Sequence, residues 1–78
     1  MSPSEIEPQL VEVLSTMLGH PVDALASRAN QPGWDSLKHI QIVFAVEEKF
    51  GVQFTEEEIP LLDSLATIEK NLKRRHAA

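Results

Sequence analysis

Residues 36–50 restrict the fold more than any other stretch. Within Ser36-Leu37-Lys38-His39-Ile40-Gln41-Ile42-Val43-Phe44-Ala45-Val46-Glu47-Glu48-Lys49-Phe50, apolar side chains recur on a helical period along two adjoining faces. Ile42, Val43, Val46 and Phe50 line one face, and Leu37, Ile40 and Phe44 line the next. A helix resting on a core needs only one such face. The second is surplus, and serves either as additional core or as a surface on which a partner docks. Asp35-Ser36 supplies a helix start and Gly51 a helix stop.

The remaining punctuation is also helical. Ile6, Leu10, Val13, Leu14, Met17 and Leu18 share one face, with Ser4 as the expected N-cap, Glu5 and Glu7 in the first turn, and Gly19 and Pro21 ending the helix. Residues 19–35 contain Gly19, Pro21, Ser27, Asn30, Pro32 and Gly33 and keep no sustained period. They read as a long connection, pinned to the core through Val22, Leu25 and Ala26. Connections of that length in a small domain are functional or disordered. Val52-Gln53-Phe54 has no second strand to pair with and reads as a connector. Thr55-Glu56-Glu57-Glu58 is a capping box, and Pro60 limits the element it starts to a short helix or turn. Asp63-Ser64 then starts a last helix through Leu65, Ile68 and Leu72. The expected architecture is all-α, a four-helix bundle of three main helices and one short helix, forming one domain over residues 1–78.

Composition narrows the setting. The chain has 78 residues and no cysteine, so neither disulfides nor a protein thiol are available. No apolar run approaches the roughly 20 residues of a membrane span. Met1-Ser2-Pro3-Ser4-Glu5 carries neither the basic nor the apolar region of a signal peptide, which makes a cytoplasmic location the expectation. Residues 1–69 hold all 12 acids against three bases, whereas residues 70–78 hold the other four bases and no acid, for a net charge of −5. An acidic body disfavours nucleic acid and favours basic protein partners. Lys70, Lys73, Arg74 and Arg75 oppose the dipole at the end of the last helix.

The candidate functional residue is Ser36. Its tripeptide occurs twice, as Asp35-Ser36-Leu37 and Asp63-Ser64-Leu65, and either copy alone reads as a helix cap. Context separates them. Ser36 follows a long loop and the lone tryptophan, Trp34, and it opens the helix with the surplus apolar face. A phosphodiester on Ser36 would lie beside free backbone N–H groups at the positive end of a helix, with Lys38 adding a positive charge.

Gly33-Trp34-Asp35-Ser36-Leu37, followed by Ile40-Gln41-Ile42-Val43-Phe44-Ala45-Val46-Glu47-Glu48-Lys49-Phe50-Gly51-Val52, resembles the acyl carrier protein family, and the resemblance extends over nearly the whole chain. It implies that Ser36 receives 4′-phosphopantetheine from coenzyme A through a phosphopantetheinyl transferase, and that Asp35 belongs to the transferase's recognition motif. It further implies that the chain is not an enzyme. The arm would hold acyl groups as thioesters and deliver them to acyl-loading and acyl-transferring enzymes of fatty-acid, polyketide or related synthesis. The expected docking face comprises Leu37, Ile40, Phe44, Glu47 and Glu48, with Lys38 tuning specificity, and the carrier is expected to be a monomer. Lys38, His39 and Gln41 stand where fatty-acid carriers usually bear acids, and Pro32 replaces the family's leucine before the glycine. These departures indicate a specialised rather than a housekeeping carrier.

Other readings stay open. An aminoacyl or peptidyl carrier is a close relative of the first. An unmodified helical adaptor would bind a partner helix through the surplus face. A DNA-binding helix-turn-helix is opposed by the charge and by the long connection. Trp34 is expected to pack at the loop–helix junction, and His39 to be solvated or partner-facing. Glu56, Glu57 and Glu58 read as helix-start charge. His20, His39 and His76 lie too far apart in sequence for usual metal spacing, so no metal site is expected.

Overall fold

The computed structural model describes residues 5–77, and the side chains of residues 5–75. Helix α1 spans Ile6–Leu18, α2 spans Ser36–Phe50 and α3 spans Leu65–Ala77, with a 3₁₀ turn at Ile59–Leu61 before α3. No strand occurs among the described residues, and the fold is all-α. The radius of gyration is 11.4 Å, as a folded chain of this length requires (about 11.5 Å).

Sequence periodicity becomes burial in a direct way. Ile6, Leu10 and Leu14 are fully buried from α1, as are Ile42, Val43 and Val46 from α2 and Leu65, Ile68 and Leu72 from α3. Trp34, Phe54 and Leu62 join them in one continuous core. Both α2 and α3 rest principally on α1. Gly19 and Gly51 close α1 and α2 in the left-handed region, at φ 80° and 67°, where a side chain would be strained. Glu5, expected in the first turn, is instead the residue before α1 and makes no side-chain cap bond; Ser4, the expected cap, lies outside the described residues.

Residues 19–35 form a sequence of short turns rather than a slack loop. The Asn30 side chain accepts the Ser27 N–H at 2.9 Å and donates to the Leu25 carbonyl at 2.9 Å, which folds the segment on itself. The segment is then joined to the start of α3. The Arg28 N–H donates to the Asp63 carbonyl at 2.8 Å and the Leu65 N–H to the Ala26 carbonyl at 2.9 Å, flanking an isolated antiparallel bridge between Ser27 and Ser64. Ala26 is buried and Val22 packs against the core, as expected. Leu25 does not, contrary to expectation: it is 81% exposed. The Asx turn at Asp23, whose side chain accepts the Leu25 N–H at 2.9 Å, directs the chain so that Ala26 takes the inward position instead.

The capping box at 55–58 forms in both directions. The Thr55 N–H donates to Glu58 Oε1 at 2.9 Å and the Glu58 N–H to Thr55 Oγ1 at 3.2 Å. Glu58 is more than helix-start charge, however. Its carboxylate also accepts from Asn71 Nδ2 at 2.7 Å and pairs with Arg75 at 3.1 Å. The Arg75 guanidinium in turn lies 5.1 Å from the centroid of the Phe54 ring. Arg75 therefore ties the last helix to the connector, a task separate from opposing a helix dipole.

The bond from Asn71, then the Thr55 N–H, then the Arg75 charge hold the Glu58 carboxyl below its ordinary value of 4.5. A carboxyl whose pKa falls on folding stabilises the native state fully above its unfolded pKa. That stabilisation is lost as pH falls through the lower, folded value. Glu58→Gln should therefore cost about 0.5–1 kcal/mol at neutral pH. In urea titrations at stepped pH, the gap between wild type and variant should close below about pH 4.5. A gap that stayed constant into the acid range would show that the anion is not its source.

Candidate functional site

The start of α2 is organised by Asp35. Its backbone is extended, at φ −95° and ψ −172°, and its Oδ1 accepts the Lys38 N–H at 2.8 Å. Asp35 is thus the N-cap and Ser36 the first residue of the helix. The cap bond that a serine hydroxyl often makes at such a position is already made, which leaves the exposed Ser36 hydroxyl for another use.

The second copy of the tripeptide is set one residue differently. There Ser64 is the cap: its Oγ accepts the Thr67 N–H at 3.1 Å, and its own N–H donates to Thr67 Oγ1 at 3.2 Å. Ser64 is half-buried and lies in the bridge to Ser27. Identical Asp-Ser-Leu sequences therefore place one hydroxyl in a local hydrogen-bond ring and the other on the surface.

The approach to Ser36 is braced by buried contacts. Gly33 turns the chain at φ 86°, a conformation that a side chain would strain. Trp34 is buried, in agreement with the packing role expected for it. Its Nε1–H donates to His39 Nδ1 at 3.0 Å, and the two rings stack with centroids 6.1 Å apart. His39 Nε2 lies 2.7 Å from the Ile59 carbonyl oxygen. A carbonyl only accepts, so Nε2 carries the ring proton and Nδ1 is left as the acceptor for Trp34. The expectation of a solvated or partner-facing His39 is thus corrected. The ring is 4% exposed and links the loop before α2 to the 3₁₀ turn. Its position explains this: His39 is one turn beyond Asp35, to whose carbonyl its N–H donates at 2.8 Å, on the side facing Trp34.

The residues of the expected docking face divide into two groups. Leu37 is 69% exposed, Phe44 58% and Ile40 39%, so the surplus face of α2 lies at the surface and does not extend the core. Glu48 is exposed as well, and Lys38 is half-buried. Glu47 is engaged within the molecule: its Oε2 accepts the Phe54 N–H at 2.8 Å and fixes the connector after α2. Phe44 points outward, while Phe50 packs against the core. A shallow groove between α1 and α2, lined by Val13, Met17, Ala45, Glu48 and Lys49 among others, lies toward the opposite end of α2 from Ser36.

One residue of the site escapes sequence reading. Arg28 Nη2 donates to Ser36 Oγ at 2.8 Å, so the cation in hydrogen-bond contact with the serine comes from the loop, eight residues upstream. No periodicity or spacing rule marks that pairing, because it depends on the turns of residues 19–35. Among the described residues no helix is long and apolar enough to cross a membrane. No protein-family model matches the chain.

The two registers of Asp-Ser-Leu have separable energetic consequences. Ser64→Ala should destabilise the fold by about 1 kcal/mol through loss of the cap. Ser36→Ala should stay within about 0.5 kcal/mol of wild type, as exposed substitutions do. Equilibrium urea denaturation of the two variants checks this. An equal cost at both sites would mean that Ser36 is a second structural cap.

Proposed function

We propose that the chain is a carrier protein bearing 4′-phosphopantetheine on Ser36. The observation that carries this reading is the division of labour at the start of α2. Asp35 performs the capping, while the neighbouring serine hydroxyl is exposed, held by a guanidinium and bordered by unburied Leu37. The finer fold assignment, a four-helix bundle of the acyl carrier kind, belongs to the same proposal. It is supported by the order of helix, long loop, helix, short 3₁₀ turn and helix.

The residues present suit such a group. Ser36 Oγ attacks the phosphorus of coenzyme A that bears the pantetheine. The new bond is Oγ–P, the pyrophosphate P–O bond breaks, 3′,5′-ADP leaves, and the hydroxyl proton passes to a base of the transferase. The group would supply the thiol that the cysteine-free chain lacks, on which acyl groups are held as thioesters. The protein's part is to present. The hydrogen-bonded Trp34–His39 junction braces the attachment point, and Leu37, Ile40 and Phe44 offer an apolar surface beside it, with Glu48 adding charge. Tethering raises the effective concentration of cargo at each docked enzyme. Lys38, with no acid in the first turn of α2, favours partners other than those that recognise an acidic helix start, in keeping with a specialised carrier.

The exposed apolar face also suits a second reading, an unmodified adaptor that binds a partner helix. Intact mass separates the two. Incubated with coenzyme A and a promiscuous phosphopantetheinyl transferase, wild type and Ser64→Ala should each gain one phosphopantetheine, and Ser36→Ala none. Absence of any gain in wild type, or a gain by Ser36→Ala, would remove the carrier reading and leave the adaptor.

A further inference from the structure

The guanidinium beside Ser36 is more than the unmodified hydroxyl requires. Arg28 presents five N–H donors in a planar fork, and one of them is used on a neutral oxygen. Among the described residues the ion pairs are Glu69–Lys73 and Glu58–Arg75, and Arg28 belongs to neither. Bases are sparse in this part of the chain. Arg28, Lys38 and Lys49 are the three bases of residues 1–69, set against 12 acids.

The backbone that carries this side chain is itself held in place. The Arg28 N–H is anchored to the Asp63 carbonyl, next to the Ser27–Ser64 bridge, and Asn30 braces the turn just beyond. The guanidinium therefore reaches Ser36 Oγ from a fixed base on the start of α3. A fork of this kind matches the oxygens of a phosphate better than a lone hydroxyl, and pairs with them by charge-assisted bonds.

From this placement we infer that Arg28 is a positioning residue for the modified serine: it pairs with the phosphodiester oxygens on Ser36 and so sets the direction in which the arm leaves the protein. The inference rests on the carrier reading of Ser36. It adds a residue of the long loop to the site, and gives that loop's fixed geometry a purpose. It also implies that the pairing weakens as salt rises, since both partners are exposed.

The test compares unloaded and phosphopantetheine-loaded forms of the full chain, as wild type, Arg28→Ala and Arg28→Lys, with loading verified by intact mass. Loading should raise the urea midpoint of wild type. That rise should largely vanish in Arg28→Ala, survive in part in Arg28→Lys, and shrink in wild type as sodium chloride is raised. The ³¹P resonance of the loaded protein should be broader in wild type than in Arg28→Ala, reporting a less mobile phosphate. If wild type and Arg28→Ala both load and show the same rise and the same line width, the inference is overturned while Ser36 remains the attachment site. If wild type does not load, the carrier reading fails and the inference fails with it. Should Arg28→Ala fold or load poorly, Arg28→Lys and the salt series decide. A wild-type rise insensitive to salt, or a phosphorus line unchanged by the lysine, overturns the role of Arg28.

Discussion

The bond from the Lys38 N–H to Asp35 Oδ1 fixes where the helix that bears Ser36 begins. With the cap at residue 35, α2 begins at Ser36, and its buried residues fall at His39, Ile42, Val43 and Val46. Leu37, Ile40 and Phe44 stay on the outside, since the core takes only the other face of the helix. The same bond relieves Ser36 of the capping role that Ser64 performs elsewhere in the chain. A cap worth about 1 kcal/mol thus decides which hydroxyl is structural and which is presented.

The junction before α2 would be imprecise without the contacts that brace it. Trp34, His39 and the Ile59 carbonyl form a hydrogen-bonded relay in which only one ring tautomer satisfies both bonds of the imidazole. It connects the loop, α2 and the 3₁₀ turn. The loop's second anchorage, at the start of α3, does the same on the other side. A chain of this length has only a few kcal/mol of net stability to distribute. Spending polar contacts on the surroundings of one serine is consistent with that serine having a use.

Much of this was legible in the sequence, for a physical reason. Burial follows a 3.6-residue period, so Ile6, Leu10, Leu14 and Ile42, Val43, Val46 announce their helices, and Gly19 and Gly51 end them through φ values that other residues avoid. Thr55 and Glu58 sit at the fixed spacing of a capping box and form one. What escaped were contacts between residues far apart in the chain. His39 looks like a surface residue on a helical wheel until Trp34 and Ile59 are brought against it. Glu58 looks like one of three equivalent acids until α3 delivers Asn71 and Arg75. Arg28 is inconspicuous in a loop without period, because its reach to Ser36 is created by turns that Asn30 and the Asp63 carbonyl help to define. Leu25 misled in the opposite sense: hydrophobicity alone assigned it to the core, and a local Asx turn gave that place to Ala26.

The apolar residues left on the surface set the final constraint on function. Leu37 and Phe44 stand on the same helix as Ser36, and burying the exposed part of either would stabilise the isolated chain by about 1–2 kcal/mol. A fold that keeps them outside forgoes that stability, which is understandable if another protein covers them part of the time. An adaptor accounts for the apolar face but gives no role to the guanidinium on the adjacent serine, or to the cap that frees its hydroxyl. A carrier accounts for all three together: a surface for transient docking, a hydroxyl open to modification, and a cation where a phosphate would be attached. On that reading the domain's selectivity resides in the neighbourhood of Ser36. Partners would sense the apolar face of α2 and the position of the arm at once, because both belong to the same helix.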